Sequence, residues 1–420
     1  MNSEISASII TIGDELLIGQ TIDTNSAFIA QQLNKIGIWV KRRVAIGDVK
    51  DDILNSLKEQ SNVSKIIIIT GGLGPTADDI TKPALCDYFN SKLIVNKEAE
   101  ENVKNIFTRL NRPITERNLK QAEVPDNCTV LQNSRGTAPG MWFEKDEVIY
   151  IALPGVPHEM AGLIEHTILE KLETKFTTSG IYHKTLLTAG IGESTLADVV
   201  KDFEEKLPAH IKLAYLPSYS MVKLRLTGRG SNKEKIKEET DNYFKELTGI
   251  VKEWLVIDDD KTIEEVIGAT LGSKGKFVAS AESCTGGYIA HLLTKNSGSS
   301  STFKGGVVSY ANEAKESALQ VQHSTLAKHG AVSEDTVKEM AAGVIELMNT
   351  DYSVATSGIM GPNGGTKEKP VGTVWIAVAN SKKVETAKHF VRYDRKTNIE
   401  LTARIALNML RKFILEQEKD

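Results

Sequence analysis

The chain has 420 residues, of which 40% are hydrophobic and 25% charged, and it carries a formal charge of −4. That balance excludes a disordered or fibrous chain, and the length asks for two or three domains. Slight acidity gives no general drive toward nucleic acid or an anionic membrane, and neither is an expected partner. Apolar runs such as Ile66–Ile69 are far short of a bilayer span, and the N-terminus has no basic stretch of the signal-peptide kind, so a soluble cytoplasmic protein is expected. Cys86, Cys128 and Cys284 share no close spacing and predict neither a disulfide framework nor a zinc cluster.

In chain order, SASIITIG reads as a strand, NSAFIAQQLNKIG as an amphipathic helix ending at Gly37, and WVKRRVAIG as the next strand. DVKDDILNSLKEQSN follows as a helix, and KIIIIT as a continuous apolar strand buried on both faces. This βαβαβ order predicts a parallel sheet covered by helices, closing with VIYIALPG and the helix VPHEMAGLIEHTILEKL. About residues 175–250 the texture changes to a small α+β unit. Its strands are KTLLTAGI, IKLAYLP and MVKLRLTGR, and its helices LADVVKDFEEKL and KEKIKEETDNYFKELTGIV. The GRGS turn at 228–231 makes no convincing nucleic-acid loop, so the unit reads as a spacer or dimerising domain. After the DDDK junction at 258–261 a second α/β pattern begins, with TIEEVIGATLGSKG as helix, KFVASAES as strand and CTGGYIAHLLTK as helix. FKGGVVSY, DYSVATSG and GTVWIAVAN are further strands before a long C-terminal helix. The domains are set at 1–172, 173–254 and 255–420.

Two stretches carry chemistry. In KIIIITGGLGPTADDITKPAL a buried strand runs into Gly71, Gly72, Leu73 and Gly74, then Thr76, Asp78 and Asp79. Glycines let backbone N–H groups approach a ligand, and a helix start favours a phosphate. A lone Asp78 or Asp79 would read simply as a helix cap, but two adjacent acids beside a glycine-rich loop are harder to explain that way. Beside a phosphate the paired acids would require a divalent cation such as Mg²⁺. GDELLIGQTIDTNS adds Asp14, Glu15 and Asp23 near the end of the first strand. Arg135 of NSRGTAPG and His158 of LPGVPHEM fit structural turns as well as ligand loops.

GDELLIG, DTNS, GGLGPTADDIT, NLKQA, NSRGTAPG and LPGVPHEM, in this order, resemble the N-terminal domain of the CinA family, which is similar to the molybdopterin-binding MoaB/MogA fold. The resemblance implies metal-dependent hydrolysis of ADP-ribose to AMP and ribose 5-phosphate. It implicates Asp78 and Asp79 in catalysis, Gly71, Gly72, Gly74 and Thr76 in substrate binding, and Asp14, Glu15 and Asp79 as metal ligands.

The second stretch is AESCTGGYIA, where Ser283, Cys284 and Thr285 precede Gly286 and Gly287. Ser283 or Thr285 could simply cap the following helix. A catalytic serine needs a proton acceptor, and VVSYANEAKESAL offers Tyr310 and Lys315, a lysine that serves as base only if burial or nearby cations lower its pKa. Cys284 as a thiolate nucleophile lacks a persuasive His partner. AESCTGG, GGVVSYANEAK, GAVSE, TSGIMGP and KPVGTVWIA resemble the CinA C-terminal domain, similar to the stand-alone PncC amidase. The resemblance implies deamidation of nicotinamide mononucleotide to nicotinic acid mononucleotide and ammonia, with Ser283 as nucleophile, Lys315 as base and Tyr310 in support. The N–H groups near Cys284 and Thr285 become candidate oxyanion donors. The loop bearing Thr356, Ser357, Gly358 and Gly361 is expected against the ligand, with Arg395, or alternatively Arg392, on its phosphate. Met360 stands where the family usually has a small residue.

The expected architecture is therefore α/β: a molybdopterin-binding-like parallel-sheet domain, a small α+β (KH-like) middle domain and an α/β amidase domain. No cofactor is expected for the last, and the resemblance implies a homodimer. Competing readings are a non-catalytic nucleotide sensor or competence-associated partner-binding protein, and molybdopterin adenylyl transfer by the N-terminal domain.

Overall fold

A computed structural model describes residues 5–76, 78–176, 180–218, 221–259 and 261–418. Asp260 of the DDDK junction lies outside the described residues. The chain packs as two compact units, Met1–His183 with Leu207–Lys212 and Leu226–Phe244, and Lys184–Lys206 with Leu213–Arg225 and Lys245–Asp420. No helix among the described residues is long and apolar enough to cross a membrane.

In the first unit, β1 (Ser6–Ile12), β2 (Trp39–Ile46) and β3 (Ile66–Thr70) are followed by a small ribbon of β4 (Leu93–Val95) and β5 (Glu123–Pro125). With β6 (Thr129–Leu131), β7 (Gly140–Lys145) and β8 (Val148–Leu153), the main sheet has the order β2-β1-β3-β8-β7-β6. β1, β2, β3 and β8 pair in parallel, so their carboxyl ends gather on one edge. Ile66 and Ile68 pack with Ile9, Ile29 and Leu33 on one face, and Ile67 and Ile69 with Ile10, Ile53 and Leu57 on the other. This is the two-sided burial that the IIIIT run predicts.

The sheet is mixed, because β6 and β7 add antiparallel strands to its edge. The β7–β8 hairpin turns through Asp146 and Glu147, both at positive φ (50° and 59°). Two such residues are what the commonest two-residue hairpin requires, but Asp-Glu lacks the glycine that would advertise it.

The middle segment forms a four-stranded sheet in the order β10-β11-β9-β12, from β9 (Gly180–Ala189), β10 (Ile211–Ser218), β11 (Met221–Gly230) and β12 (Leu255–Ile257). Its helices are Glu193–Glu205 and Lys233–Ile250.

The C-terminal sheet comprises β13 (Val278–Glu282), β14 (Phe303–Val308), β15 (Tyr352–Gly358), β16 (Thr373–Asn380) and β17 (Val384–Phe390), in the order β14-β13-β15-β16-β17. β13 lies parallel between β14 and β15, which brings the segments after all three strands together. β17 is an edge strand that the sequence reading passed over; its residues are half-exposed or exposed, so no apolar run marks it. One sheet face is lined by Ala279, Ala281, Ala355 and Ala377, small enough for the helix Glu334–Met348 to settle closely upon it. That helix in turn supports the helix Asn312–Leu319. A Cβ on Gly343 would lie 1.9 Å from the Leu319 carbonyl oxygen.

Alanine normally favours a helix interior over glycine by about 0.5–1 kcal/mol. Here the methyl would collide with backbone, so Gly343→Ala is expected to lower stability by about 1–3 kcal/mol instead. A lowered melting temperature confirms the close approach, and a raised one refutes it.

Candidate active site of the C-terminal domain and the N-terminal glycine loop

Ser283 follows β13 directly and is pinned to its neighbour, its N–H donating to the Thr356 carbonyl at 2.9 Å. On the other side the Ser309 N–H donates to the Glu282 carbonyl, also at 2.9 Å. β14 ends at Val308, and the chain then turns through Tyr310 into the helix Asn312–Leu319, whose first turn carries Lys315 inward. Lys315 is 1% exposed. Its Nζ lies 3.1 Å from Ser283 Oγ and donates to the Ser309 carbonyl at 2.7 Å. No carboxylate pairs with it among the described residues, and burial holds its pKa below the ordinary lysine value. A neutral amine here keeps an N–H for Ser309 and a lone pair for the serine proton.

The turn after Ser283 differs from the expected helix start. The helix begins only at Tyr288, so neither Ser283 nor Thr285 caps it. Gly286 and Gly287 occupy positive φ (60° and 96°), which inserts a tight turn between strand and helix. The cap is instead the buried carboxylate of Glu282, which accepts the N–H groups of Gly287, Ile289 and Ala290 at 2.8–3.0 Å. The N–H groups of Cys284 and Thr285 donate to no oxygen among the described residues.

A cavity of about 190 Å³ lies over this turn, lined by Ser283, Cys284, Tyr310, Lys315, Met360 and Arg395 among others. Arg395 donates to the Tyr310 hydroxyl at 2.6 Å and to the Gly361 carbonyl at 2.8 Å, which places a guanidinium at the cavity. Arg392 stacks over the Phe390 ring instead, 5.2 Å from its centroid, and does not line the cavity. Ser357 and Gly358 also line it, while the Ser357 hydroxyl is committed to the Ala331 carbonyl at 2.7 Å. Thr356 is fully buried and its hydroxyl meets that of Thr285 at 2.8 Å, so this pair braces the turn from beneath. Met360 occupies the wall, its carbonyl held by Asn398 at 3.1 Å.

Cys284 is buried, and desolvation pushes its thiol pKa up to about 12, with the Glu282 charge acting in the same direction and the Thr356 hydroxyl against it. A thiol in that state is a poor nucleophile.

The N-terminal glycine loop is arranged differently. Gly71 sits against β1, where a Cβ would fall 2.2 Å from the Ile12 carbonyl oxygen, and its N–H donates to the Leu153 carbonyl at 3.2 Å. Gly72 accepts from the Thr81 N–H at 3.2 Å. Asp79 turns back into the loop, accepting the N–H of Gly74 at 2.8 Å, that of Thr76 at 2.9 Å and the Thr76 hydroxyl at 2.5 Å. The N–H groups of Gly74 and Thr76 are thus spent on Asp79, and its carboxylate is a loop clamp. Asp78 is exposed, its pKa lowered chiefly by the nearby Thr76 side chain.

Asp14 and Asp48 each accept the other's backbone N–H, at 3.2 and 3.1 Å. Asp48, absent from the sequence reading, has its pKa raised by burial and then by the charges of Asp14, Glu15 and Asp78, against the pull of the Asp14 N–H. These acids therefore share one field at the edge of the sheet. Among the described residues no three His, Cys, Asp or Glu converge to hold a metal. The hard oxygens of Asp14 and Asp48 fit Mg²⁺ of the kind carried in on phosphates, which needs only one or two protein carboxylates. Asp79, whose oxygens already accept three loop donors, is less available for that role. Asp23 caps the helix Thr24–Lys35 through the Ser26 N–H at 2.9 Å. Arg135 reaches His166 at 3.1 Å and the His158 carbonyl at 3.4 Å, a packing contact within the unit.

The two halves make a prediction about reactivity. Cys284 is expected to stay unlabelled by iodoacetamide at mildly alkaline pH in the folded protein and to react once the chain is unfolded, as read by peptide mass spectrometry. Rapid labelling in the folded state would contradict the buried, high-pKa thiol.

Comparison with known proteins finds three family matches in succession along the chain. Residues 8–174 match a probable molybdopterin binding domain, 183–256 the damage-inducible protein CinA KH domain, and 260–414 the CinA C-terminal domain. A CinA-like protein of Cytophaga hutchinsonii is 46% identical over 416 residues, covering 99% of this chain and 100% of the relative. Another, of Flavobacterium psychrophilum, is 46% identical over 414 residues, covering 98% and 99%. The crystal structure of the competence damage-inducible protein A of Klebsiella pneumoniae is 37% identical, covering 36% of this chain and 93% of that one, with a TM-score of 0.35. With full-length relatives at this identity and all three domain families in register, the chain belongs to the CinA family.

Proposed function

We propose that the C-terminal domain is a serine–lysine amidase acting on nicotinamide mononucleotide, releasing ammonia and nicotinic acid mononucleotide. The observation that carries this reading is the buried Lys315 amine 3.1 Å from the Ser283 hydroxyl, without a carboxylate among the described residues to hold its proton. Ser283 Oγ attacks the carboxamide carbon while its proton passes to Lys315 Nζ. The developing oxyanion is received by the N–H groups of Cys284 and Thr285. Lys315 returns the proton to the amide nitrogen, the C–N bond breaks and ammonia leaves an acyl ester on Ser283. Water then gives its proton to Lys315 and its oxygen to the acyl carbon, and the serine is reprotonated as the carboxylic acid departs. Arg395, oriented by Tyr310 and Gly361, supplies charge-assisted hydrogen bonds to the substrate phosphate.

Ammonia release from nicotinamide mononucleotide tests this directly. Ser283→Ala and Lys315→Arg are each expected to cut kcat by at least about 10³-fold, because neither an alanine nor an always-charged guanidinium can complete the proton transfer. Because the neutral amine is the active form, kcat/KM should rise with pH and level off above an apparent pKa below 10.5, the ordinary lysine value. Undiminished ammonia release by Ser283→Ala would refute the nucleophile, and a protein inactive toward every pyridine nucleotide amide would favour the binding-protein reading.

For the N-terminal domain we propose ADP-ribose hydrolysis to AMP and ribose 5-phosphate, favoured by the shared acid field of Asp14, Glu15, Asp48 and Asp78 beside the glycine loop. A divalent ion held by Asp14 and Asp48 would neutralise the pyrophosphate charge when bound. AMP formation is expected to fall to background with a chelator and to drop at least about tenfold in Asp48→Asn. AMP formed equally with chelator present would remove the metal from the reaction.

A further inference from the structure

Glu282 stands one residue before the proposed nucleophile and is 1% exposed. Its Oε2 accepts the N–H groups of Gly287 and Ile289, both at 3.0 Å, and its Oε1 accepts that of Ala290 at 2.8 Å and the Ser280 hydroxyl at 3.2 Å. Four uncharged donors thus satisfy a buried carboxylate, an arrangement that leaves it no spare acceptor site. An ordinary helix cap needs only one or two such bonds from a short side chain at the surface. Here the carboxylate reaches from the end of a central strand across a four-residue turn and gathers the donors beyond it.

The consequence lies in what is left over. The turn is fixed at its start by the Ser283 N–H on the Thr356 carbonyl and by the Ser309 N–H on the Glu282 carbonyl. Glu282 fixes its end through Gly287, Ile289 and Ala290. Between these anchors only the peptide groups of Cys284 and Thr285 keep N–H groups without an oxygen partner among the described residues. Glu282 itself does not line the cavity.

We infer that Glu282 is a positioning residue for turnover: it takes up the helix-start donors and holds the Cys284 and Thr285 N–H groups toward the oxyanion. This rests on the amidase reading above. Because those N–H groups meet full negative charge only in the transition state, loss of their alignment falls on kcat and leaves substrate binding almost unchanged.

Glu282→Gln tests it. The amide presents one acceptor oxygen and an NH₂ group, so at least one backbone N–H must face another donor and the turn relaxes. With the wild-type melting transition retained, kcat for ammonia release is expected to fall about 100-fold, the scale of one lost oxyanion donor, while KM stays within about threefold. A kcat within about threefold of wild type overturns the inference, as does a KM that rises in step with the fall in kcat/KM. Should Glu282→Gln fail to fold, Ser280→Ala decides, because it removes one donor to the same carboxylate. It is expected to lower kcat about three- to tenfold at constant KM, and an unchanged kcat overturns the inference. Ser283→Ala run alongside separates the two claims, since ammonia release by that variant defeats the amidase reading whatever Glu282 does.

Discussion

A lysine amine shut inside the protein against a serine hydroxyl is the constraint from which the C-terminal site follows. Lys315 reaches its place because the helix Asn312–Leu319 is drawn down onto the helix Glu334–Met348, where Gly343 has no side chain to keep the Leu319 carbonyl away. The amine meets one carbonyl and one hydroxyl, neither of which stabilises an ammonium as a carboxylate would. Desolvation then favours the neutral amine, which is the form able to accept a proton. The same burial holds the Cys284 thiol protonated, because a thiolate is penalised where a neutral amine is not. One environment thus favours a neutral amine beside Ser283 and a protonated thiol next to it.

Both α/β halves place their loops at the carboxyl ends of parallel strands, where such sheets offer a crevice. They use backbone donors in opposite ways. After β13 the buried Glu282 takes the donors beyond the turn and leaves those of Cys284 and Thr285 open. After β3 the side chain of Asp79 folds back on the loop and consumes the donors of Gly74 and Thr76. The N-terminal glycines are explained by close packing against Ile12 and Thr81 before any ligand is invoked. The acid field of Asp14, Glu15, Asp48 and Asp78 is the feature there that packing does not explain.

Much of the fold was legible in the order of the apolar runs, because strands buried on two faces and helices with one apolar stripe leave different periods. The β7–β8 hairpin was not, since Asp146 and Glu147 adopt positive φ without a glycine between them. β17 escaped because an edge strand half open to solvent needs no apolar alternation. At the candidate site, the identities of Ser283 and Lys315 could be read, whereas their approach depends on helix packing 32 residues apart in sequence. The position of the helix start could not be read from CTGG, as glycine permits both a helix and the turn that precedes it here. Glu282 and Asp48 were missed for a related reason: an acid in a strand or loop looks solvated until the donors around it are placed.

The central claim is that Ser283 becomes acylated by a carboxamide substrate with Lys315 as its proton acceptor. Acid quenching of the protein during turnover of nicotinamide mononucleotide, followed by peptide mass spectrometry, tests it most directly. A nicotinoyl mononucleotide ester on the peptide containing Ser283, absent in Lys315→Arg, is the predicted result. An adduct on Cys284, or ammonia release that survives in Ser283→Ala without any adduct, would contradict it.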